Sequence, residues 1–387
     1  MKVSKLVQRA GTETAFAVLA KAREMERQGK SVVHFEIGEP DFNTPENVKQ
    51  AGIKAIQENY THYSPAQGIL ELRETIAEYI TKTRGIEVSP EEVVITPGGK
   101  DVILFTATAI LDEGDEAIYP NPGYPIYESA IKIAGAKPVP MPLREENDFA
   151  FDREEFKKLI TPKTRLIIVN SPGNPTGGIL SVEDLEFIAD IAKKNDIMVL
   201  SDEIYSRIIY DGEFHSIASL PGMKERTIIL DGFSKTYAMT GWRLGYSVSN
   251  KELAKNFVKL ATNSFSCVTT FVQMAGIEAL KGPQDAVEEM RKKYEERRNL
   301  IIKGLNEIPG FRVKMPKGAF YAFPNIEGTG KSSKELSDYL LNEAGVATLP
   351  GTSFGKYGEG FIRFSYATSL ENIEEGLKRV KEAMSKL

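Results

Sequence analysis

Cysteine and histidine are scarce in this 387-residue chain, which has one Cys, Cys267, and three His, His34, His62 and His215. A single thiol excludes an intramolecular disulfide and suits a reducing compartment, where Cys267 reads as a small apolar filler. The histidines are scattered without ligand spacing, so no metal site is expected. No apolar run approaches the roughly 20 residues that cross a bilayer. The opening MKVSKLVQRAG lacks the apolar core of a signal peptide. The expectation is therefore a cytoplasmic protein with no membrane partner. A net charge of −5 gives no basic footprint for nucleic acid, and neither internal repeats nor low-complexity tracts stand out.

What remains is ordinary globular material, 41% hydrophobic and 27% charged, in a chain longer than the roughly 250–300 residues at which single cores stop growing. Two domains are expected. Thr12 to Gly29 has amphipathic helical spacing, and a short strand, Val32 to Ile37, leads into the turn-rich GEPDFNTP. Short apolar or β-branched runs then alternate with helical stretches: Val93 to Thr96, Glu116 to Tyr119, Leu166 to Asn170, Ile197 to Ser201 and Thr227 to Leu230. Continuously apolar strands between helices indicate an α/β domain, a mainly parallel sheet covered on both faces.

Beyond about Gly282 the pattern changes to a long charged helix, Asp285 to Glu307. It is followed by strand-like Phe311 to Pro324 and Phe361 to Tyr366 and by helices Lys334 to Ala344 and Leu370 to Ser385, which suggest a smaller α+β domain. The expected division is residues 1–45 packing with the small domain, 46–282 as the large domain and 283–387 as the small one.

Ligands of open α/β sheets bind outside the carboxyl ends of the strands. Four loops at those ends carry chemistry. PGGK, Pro97 to Lys100, opens a helix with a glycine pair whose backbone N–H groups suit a phosphate. SPGNPTGG carries Asn174, SDEIY carries Asp202 and Tyr205, and GFSKTYAMTGWRLGY carries Ser234, Lys235 and Arg243. Each alone has a plain reading: a turn, a helix cap for Asp202, a solvated cation for Lys235. Together they surround one rim with an amine, a carboxylate, a phenol, an amide and a guanidinium.

Pyridoxal phosphate uses all of these. Its aldehyde takes a primary amine, Lys235, and its ring serves as an electron sink. Asp202 would keep the ring nitrogen protonated, because an adjacent anion favours the cationic form. Asn174 and Tyr205 would bond the phenolate oxygen. Gly99, the backbone of Lys100, Ser234 and Arg243 would hold the phosphate, Arg243 through charge-assisted bonds.

With these residues in place the chain resembles the class I/II aminotransferases, the aspartate aminotransferase-like enzymes of pyridoxal-phosphate fold type I. The likeness runs from about Thr12 to the C-terminus through GEPDFNTP, THYSPAQGILELR, TPGGKDVI, NPGYPIYESA, NSPGNPTGG, SDEIYSRIIY, FSKTYAMTGWRLGY and FIRFSYAT. It implies that Tyr124 stacks on the cofactor ring and that Tyr63 reaches the phosphate of a neighbouring subunit in a homodimer. It also implies that Arg363 grips the substrate α-carboxylate near the backbone of Gly38, with Asn174 alongside. The implied reaction is ping-pong transfer of an amino group between an L-amino acid and a 2-oxo acid, Lys235 being base and acid.

Side-chain choice is less defined. Lys100 resembles a lysine that binds acidic side chains in a bacterial and archaeal subgroup and reads equally as a solvated helix-start lysine. Phe16 and Ile37 could form an apolar wall for aromatic substrates. The expectation is glutamate/2-oxoglutarate as one pair and aspartate, ahead of aromatic amino acids, as the other. A lyase or synthase of the same fold is the nearest rival, and a non-catalytic regulator a distant one.

Overall fold

The computed structural model describes residues 2–387. After a helix at Thr14–Arg27 comes the two-residue strand β1, Val33–His34. An eight-stranded sheet is built from β2 (Val93–Thr96), β3 (Glu116–Asn121), β4 (Lys137–Arg144), β5 (Ala150–Phe151), β6 (Thr164–Asn170), β7 (Met198–Asp202), β8 (Thr227–Gly232) and β9 (Gly245–Val248). Its order is β2-β9-β8-β7-β6-β3-β4-β5. Neighbours are parallel from β8 through β4, whereas β9 and β5 run against their neighbours.

The alternation of side chains along a strand explains why these runs are apolar throughout. In β8, Ile228 and Leu230 pack with Val102, Phe105 and Phe257 on one face. Ile229 packs with Leu72, Ile76 and Ala275 on the other. The helix at Val182–Asn195 covers β6 and β7 through Leu185 and Ile188, and its start is fixed by Ser181, whose Oγ accepts from Asp184 N at 3.1 Å.

The rest of the chain forms β10 (Tyr321–Ala322), β11 (Val346–Ala347), β12 (Leu349–Pro350) and β13 (Ile362–Ser365), backed by helices Asp285–Asn306 and Leu370–Met384. β13 is central to an antiparallel trio with β10 and β12, and β11 pairs in parallel with β1. Phe35 continues that pairing, donating to Ala347 O at 2.9 Å and accepting from Ser365 N at 2.8 Å.

Two expectations are corrected. The strand expected over Phe311 to Pro324 shrinks to Tyr321–Ala322: Pro316 and Gly318 interrupt it, and Arg312 and Ile209 form only isolated bridges with Asn325 and Gly318. The helix expected over Lys334 to Ala344 is α-helical only at Ser333–Tyr339 and widens to a π-turn at Leu340–Ala344. Among the described residues no helix is long and apolar enough to cross a membrane.

Candidate active site

The register of the sheet aligns Asn170 with Asp202 and Asp202 with Leu230, while Gly245 pairs with both Gly232 and Thr96. Thus the expected loops leave the sheet along one edge. They floor a cavity of about 540 Å³, within the usual range for small-molecule sites. Lys235, Asp202, Tyr205, Asn174, Tyr124, Ser234, Arg243, Gly99, Lys100, Gly38, Arg363 and Phe16 all line it. Tyr63 does not: it is 92% exposed, outside the cavity of its own chain.

Asp202 is buried at the end of β7. Its Oδ2 accepts from Tyr127 OH at 2.6 Å and its Oδ1 from Ile204 N at 3.3 Å. Burial pushes its pKa up to about 6, against the pull of those two donors. Lys235 Nζ donates to Gly38 O at 2.6 Å. The side chain keeps an edge toward the open cavity, yet the surrounding protein displaces enough water to lower its pKa to about 8. The nearby Glu39 opposes that shift, and the positive Arg363 and Arg243 add to it. A lysine so placed is readily deprotonated, as an amine that must act as nucleophile and base requires.

At the edge formed by β2 and β9 the backbone is crowded. Gly98 has φ of 95° and precedes the helix Gly99–Ile110, whose first-turn N–H groups have no side-chain cap. A Cβ on Gly98 would lie 2.4 Å from Arg243 Nη2. Arg243 is itself held at φ of 53° and donates to Pro97 O at 3.0 Å and Thr240 O at 2.8 Å. A guanidinium, free helix-start N–H groups and Ser234 make an anion cradle whose closeness depends on glycine.

The opposite wall comes from the other end of the chain. Arg363, on β13, is 4% exposed. Its Nη1 donates to Asn174 Oδ1 at 3.1 Å and its Nη2 to Glu36 O at 2.5 Å, while Nε is buried without a partner. The guanidinium lies 4.5 Å from the Tyr321 ring centroid and 4.9 Å from that of Phe354. It pairs with no carboxylate among the described residues, and such a buried charge is costly unless an anion joins it. Gly38 belongs to the same wall, and a Cβ there would sit 2.2 Å from Tyr321 Oη.

Several residues of the cavity were not singled out from sequence. Tyr127 holds Asp202; it stands three residues after Tyr124, whose ring it meets edge-to-face at 5.9 Å between centroids. Tyr321 shares a 2.7 Å hydrogen bond with Tyr205 OH, so the Tyr205 phenol has a protein partner as well as an aspect toward the cavity. Glu13 pairs with Lys100 Nζ at 2.5 Å and accepts from Tyr124 OH at 3.0 Å.

The residues present fit pyridoxal phosphate: an anion cradle, a carboxylate at a strand end and a depressed-pKa lysine, with a buried guanidinium that has no carboxylate partner on the opposite wall. Comparison with known proteins agrees. Residues 30–380 match the family described as aminotransferase class I and II, and the chain belongs to that family. The chain is a pyridoxal-phosphate-dependent aminotransferase of fold type I, and its relatives do not favour the lyase, synthase or regulator alternatives.

It is 46% identical over 359 residues to an aromatic-amino-acid aminotransferase from Thermococcus litoralis, with 92% of each chain covered. It is equally 46% identical, over 370 residues, to an aspartate aminotransferase from Pyrococcus horikoshii, with 94% of each covered. The crystal structure of the Thermus thermophilus aspartate aminotransferase with maleate superposes with a TM-score of 0.95 at 39% identity, covering 99% of this chain and 100% of that one.

Proposed function

We infer that the protein transfers the amino group of glutamate and of aspartate, with aromatic amino acids as further donors, to 2-oxo acids such as 2-oxoglutarate. The observation that carries this reading is one cavity holding an unpaired buried Arg363 and, at its mouth, Lys100 beside Phe16. Arg363 takes the α-carboxylate in a bidentate pair, which fixes orientation as well as charge. Lys100 meets a distal carboxylate, and Phe16 and Ile37 offer apolar surface to a ring. The relatives named for aspartate and for aromatic amino acids, at the same identity, support both substrate classes.

Asp202, Asn174, Tyr205 and Tyr124 hold the ring of the cofactor; Gly99, the Lys100 backbone, Ser234 and Arg243 hold its phosphate. When bound, pyridoxal phosphate supplies an aldehyde for an amine and a ring that withdraws the electron pair left at the substrate Cα. Lys235 Nζ removes the Cα proton, a task its lowered pKa favours. Gly38 O, now bonded to that amine, and Arg363 set the position of the substrate carbon relative to it.

The exposed Tyr63 supports a homodimer in which this side chain enters the partner's cavity, and the single cysteine supports a cytoplasmic location. The division at residues 45 and 282 separates the sheet-based part from the part that carries Arg363.

The test is the visible spectrum of the purified, cofactor-loaded protein with L-glutamate, L-aspartate or L-tyrosine and no acceptor. The lysine-bound cofactor band should convert with all three, and Lys235→Ala should lack that band. A band that no donor converts would overturn the assignment of substrates.

A further inference from the structure

Glu13 stands at the N-cap position of the Thr14–Arg27 helix, yet its side chain makes no capping bond. A carboxylate there would ordinarily accept from the first-turn N–H groups. Instead Oε1 turns into the cavity and takes both Lys100 Nζ at 2.5 Å and Tyr124 OH at 3.0 Å. The Glu13 side chain is 20% exposed and that of Lys100 41%, so the pair sits at the boundary between cavity and solvent. The Lys100 ammonium is also 5.9 Å from the Phe16 ring centroid. One cation thus lies between an apolar ring and a carboxylate supplied by the protein itself.

We propose that Glu13 is a specificity-determining residue: its carboxylate occupies Lys100 where the distal carboxylate of an acidic substrate would bind, so dicarboxylates must displace it and aromatic substrates need not. This rests on the reading of Lys100 as the contact for an acidic side chain. Two effects act in the same direction. A dicarboxylate binds only after breaking an existing ion pair and leaving Glu13 with Tyr124 OH and water. An aromatic side chain packing against Phe16 meets a cation already neutralised, so it does not desolvate a lone charge. The Glu13–Lys100 pair thereby moderates a preference for acids and gives the mouth its tolerance for rings.

The experiment measures binding of two non-reacting ligands to the cofactor-loaded protein by calorimetry: maleate, a dicarboxylate, and 3-phenylpropionate, an aromatic monocarboxylate. The readout is the ratio of the two affinities. Glu13→Gln should raise the maleate-to-phenylpropionate ratio about 10-fold, and Lys100→Gln should lower it about 10-fold. In the Lys100→Gln background, adding Glu13→Gln should no longer raise it.

Glu13→Asp, whose shorter reach loosens the pair, should move the ratio in the same direction by less, and it serves if the glutamine variant folds poorly. If Lys100→Gln lowers the ratio but neither Glu13 variant raises it, the role of Glu13 is overturned and that of Lys100 stands. If Lys100→Gln leaves the ratio unchanged, both fall together.

Discussion

The two walls of the cavity are built differently. The sheet-side wall grows from consecutive strand ends: Asn170, Asp202, Leu230 and the loop after β8 sit side by side because the register of β6, β7 and β8 makes them neighbours. The opposite wall is assembled from Glu13, Phe16 and Gly38 near the start of the chain and Tyr321 and Arg363 near its end. The first wall is an outcome of sheet geometry and is fixed by it. The second depends on how the N-terminal segment and the β13 trio meet, and there the ion pair at the mouth is half open to water. In the proposed reading the cofactor would be held by residues whose neighbours the sheet register sets, and substrate choice would be made on the wall that the register does not set.

The sheet-side wall has its own buried support, and removing it should produce the largest effect. Arg84, its side chain 2% exposed, bonds Glu203 Oε2 at 2.8 Å, Asp231 Oδ2 at 3.0 Å and Ser206 Oγ at 2.9 Å. Burial opposes its charge, but the two carboxylates outweigh burial and keep it protonated. Glu203 follows Asp202 directly, and Asp231 lies on the strand that leads to Lys235. Arg84→Met leaves both carboxylates buried and uncompensated, so urea unfolding should register a loss of about 3–5 kcal/mol. Breaking the open pair at the mouth with Lys100→Gln should cost less than about 1 kcal/mol. Equal losses from the two substitutions would erase the contrast between the walls.

A smaller and more selective loss is expected on the opposite wall. Arg363→Lys retains a positive charge but cannot make the bidentate pair. Its kcat/KM for amino acids should fall about 100-fold, with KM rising, while the visible band of the lysine-bound cofactor stays as in the parent. A shifted cofactor band would mean that the bond from Arg363 to Asn174 carries its effect to the cofactor side, and the division of labour would fail.

The same contrast governs what could be read from sequence. Asn174, Asp202, Lys235 and Arg243 were legible because each follows a strand of unbroken apolar residues, and strand ends in such sheets gather at one edge. Glu13 and Tyr321 carry no such local mark: their partners, Lys100 and Tyr205, are distant in sequence, and only the closed fold joins them. Arg363 became legible through the FIRFSYAT resemblance rather than through spacing.

Within the sheet, β4 was hidden by Pro138, Pro140 and Pro142, since proline argues against a central strand. The three alternate, so their missing N–H groups fall on one side and leave the other able to pair with β3. β9 was hidden inside the Lys235 motif, where Gly245 pairs closely with Gly232 and packs on Gly98, 2.8 Å from where its Cβ would stand.

The smallest effect expected, and the one that most directly tests how the sheet-side wall is prepared for its cofactor, concerns Asp202. In the cofactor-free protein its folded pKa is raised by burial from 3.8 to about 6. Between those values the folded state binds more protons than the unfolded chain, so this group's contribution to stability is full below about pH 4 and is lost as pH rises through about 6. Asn cannot ionise. Cofactor-free Asp202→Asn should therefore lack that decline and at pH 7 be more stable than the parent by about 2 kcal/mol, after allowing for a weaker bond from Tyr127. With pyridoxal phosphate bound the sign should reverse, because a protonated ring nitrogen beside Asp202 would give the buried anion its partner, and the variant should hold the cofactor less tightly. Urea unfolding of both cofactor-free proteins from pH 4 to pH 8 measures the first effect, and parallel pH profiles would show that burial does not strain this carboxylate. A steeper decline in the parent would mean that the sheet-side wall stores a charge without a counter-ion, which the cofactor would supply, whereas the mouth carries its own counter-ion in Glu13.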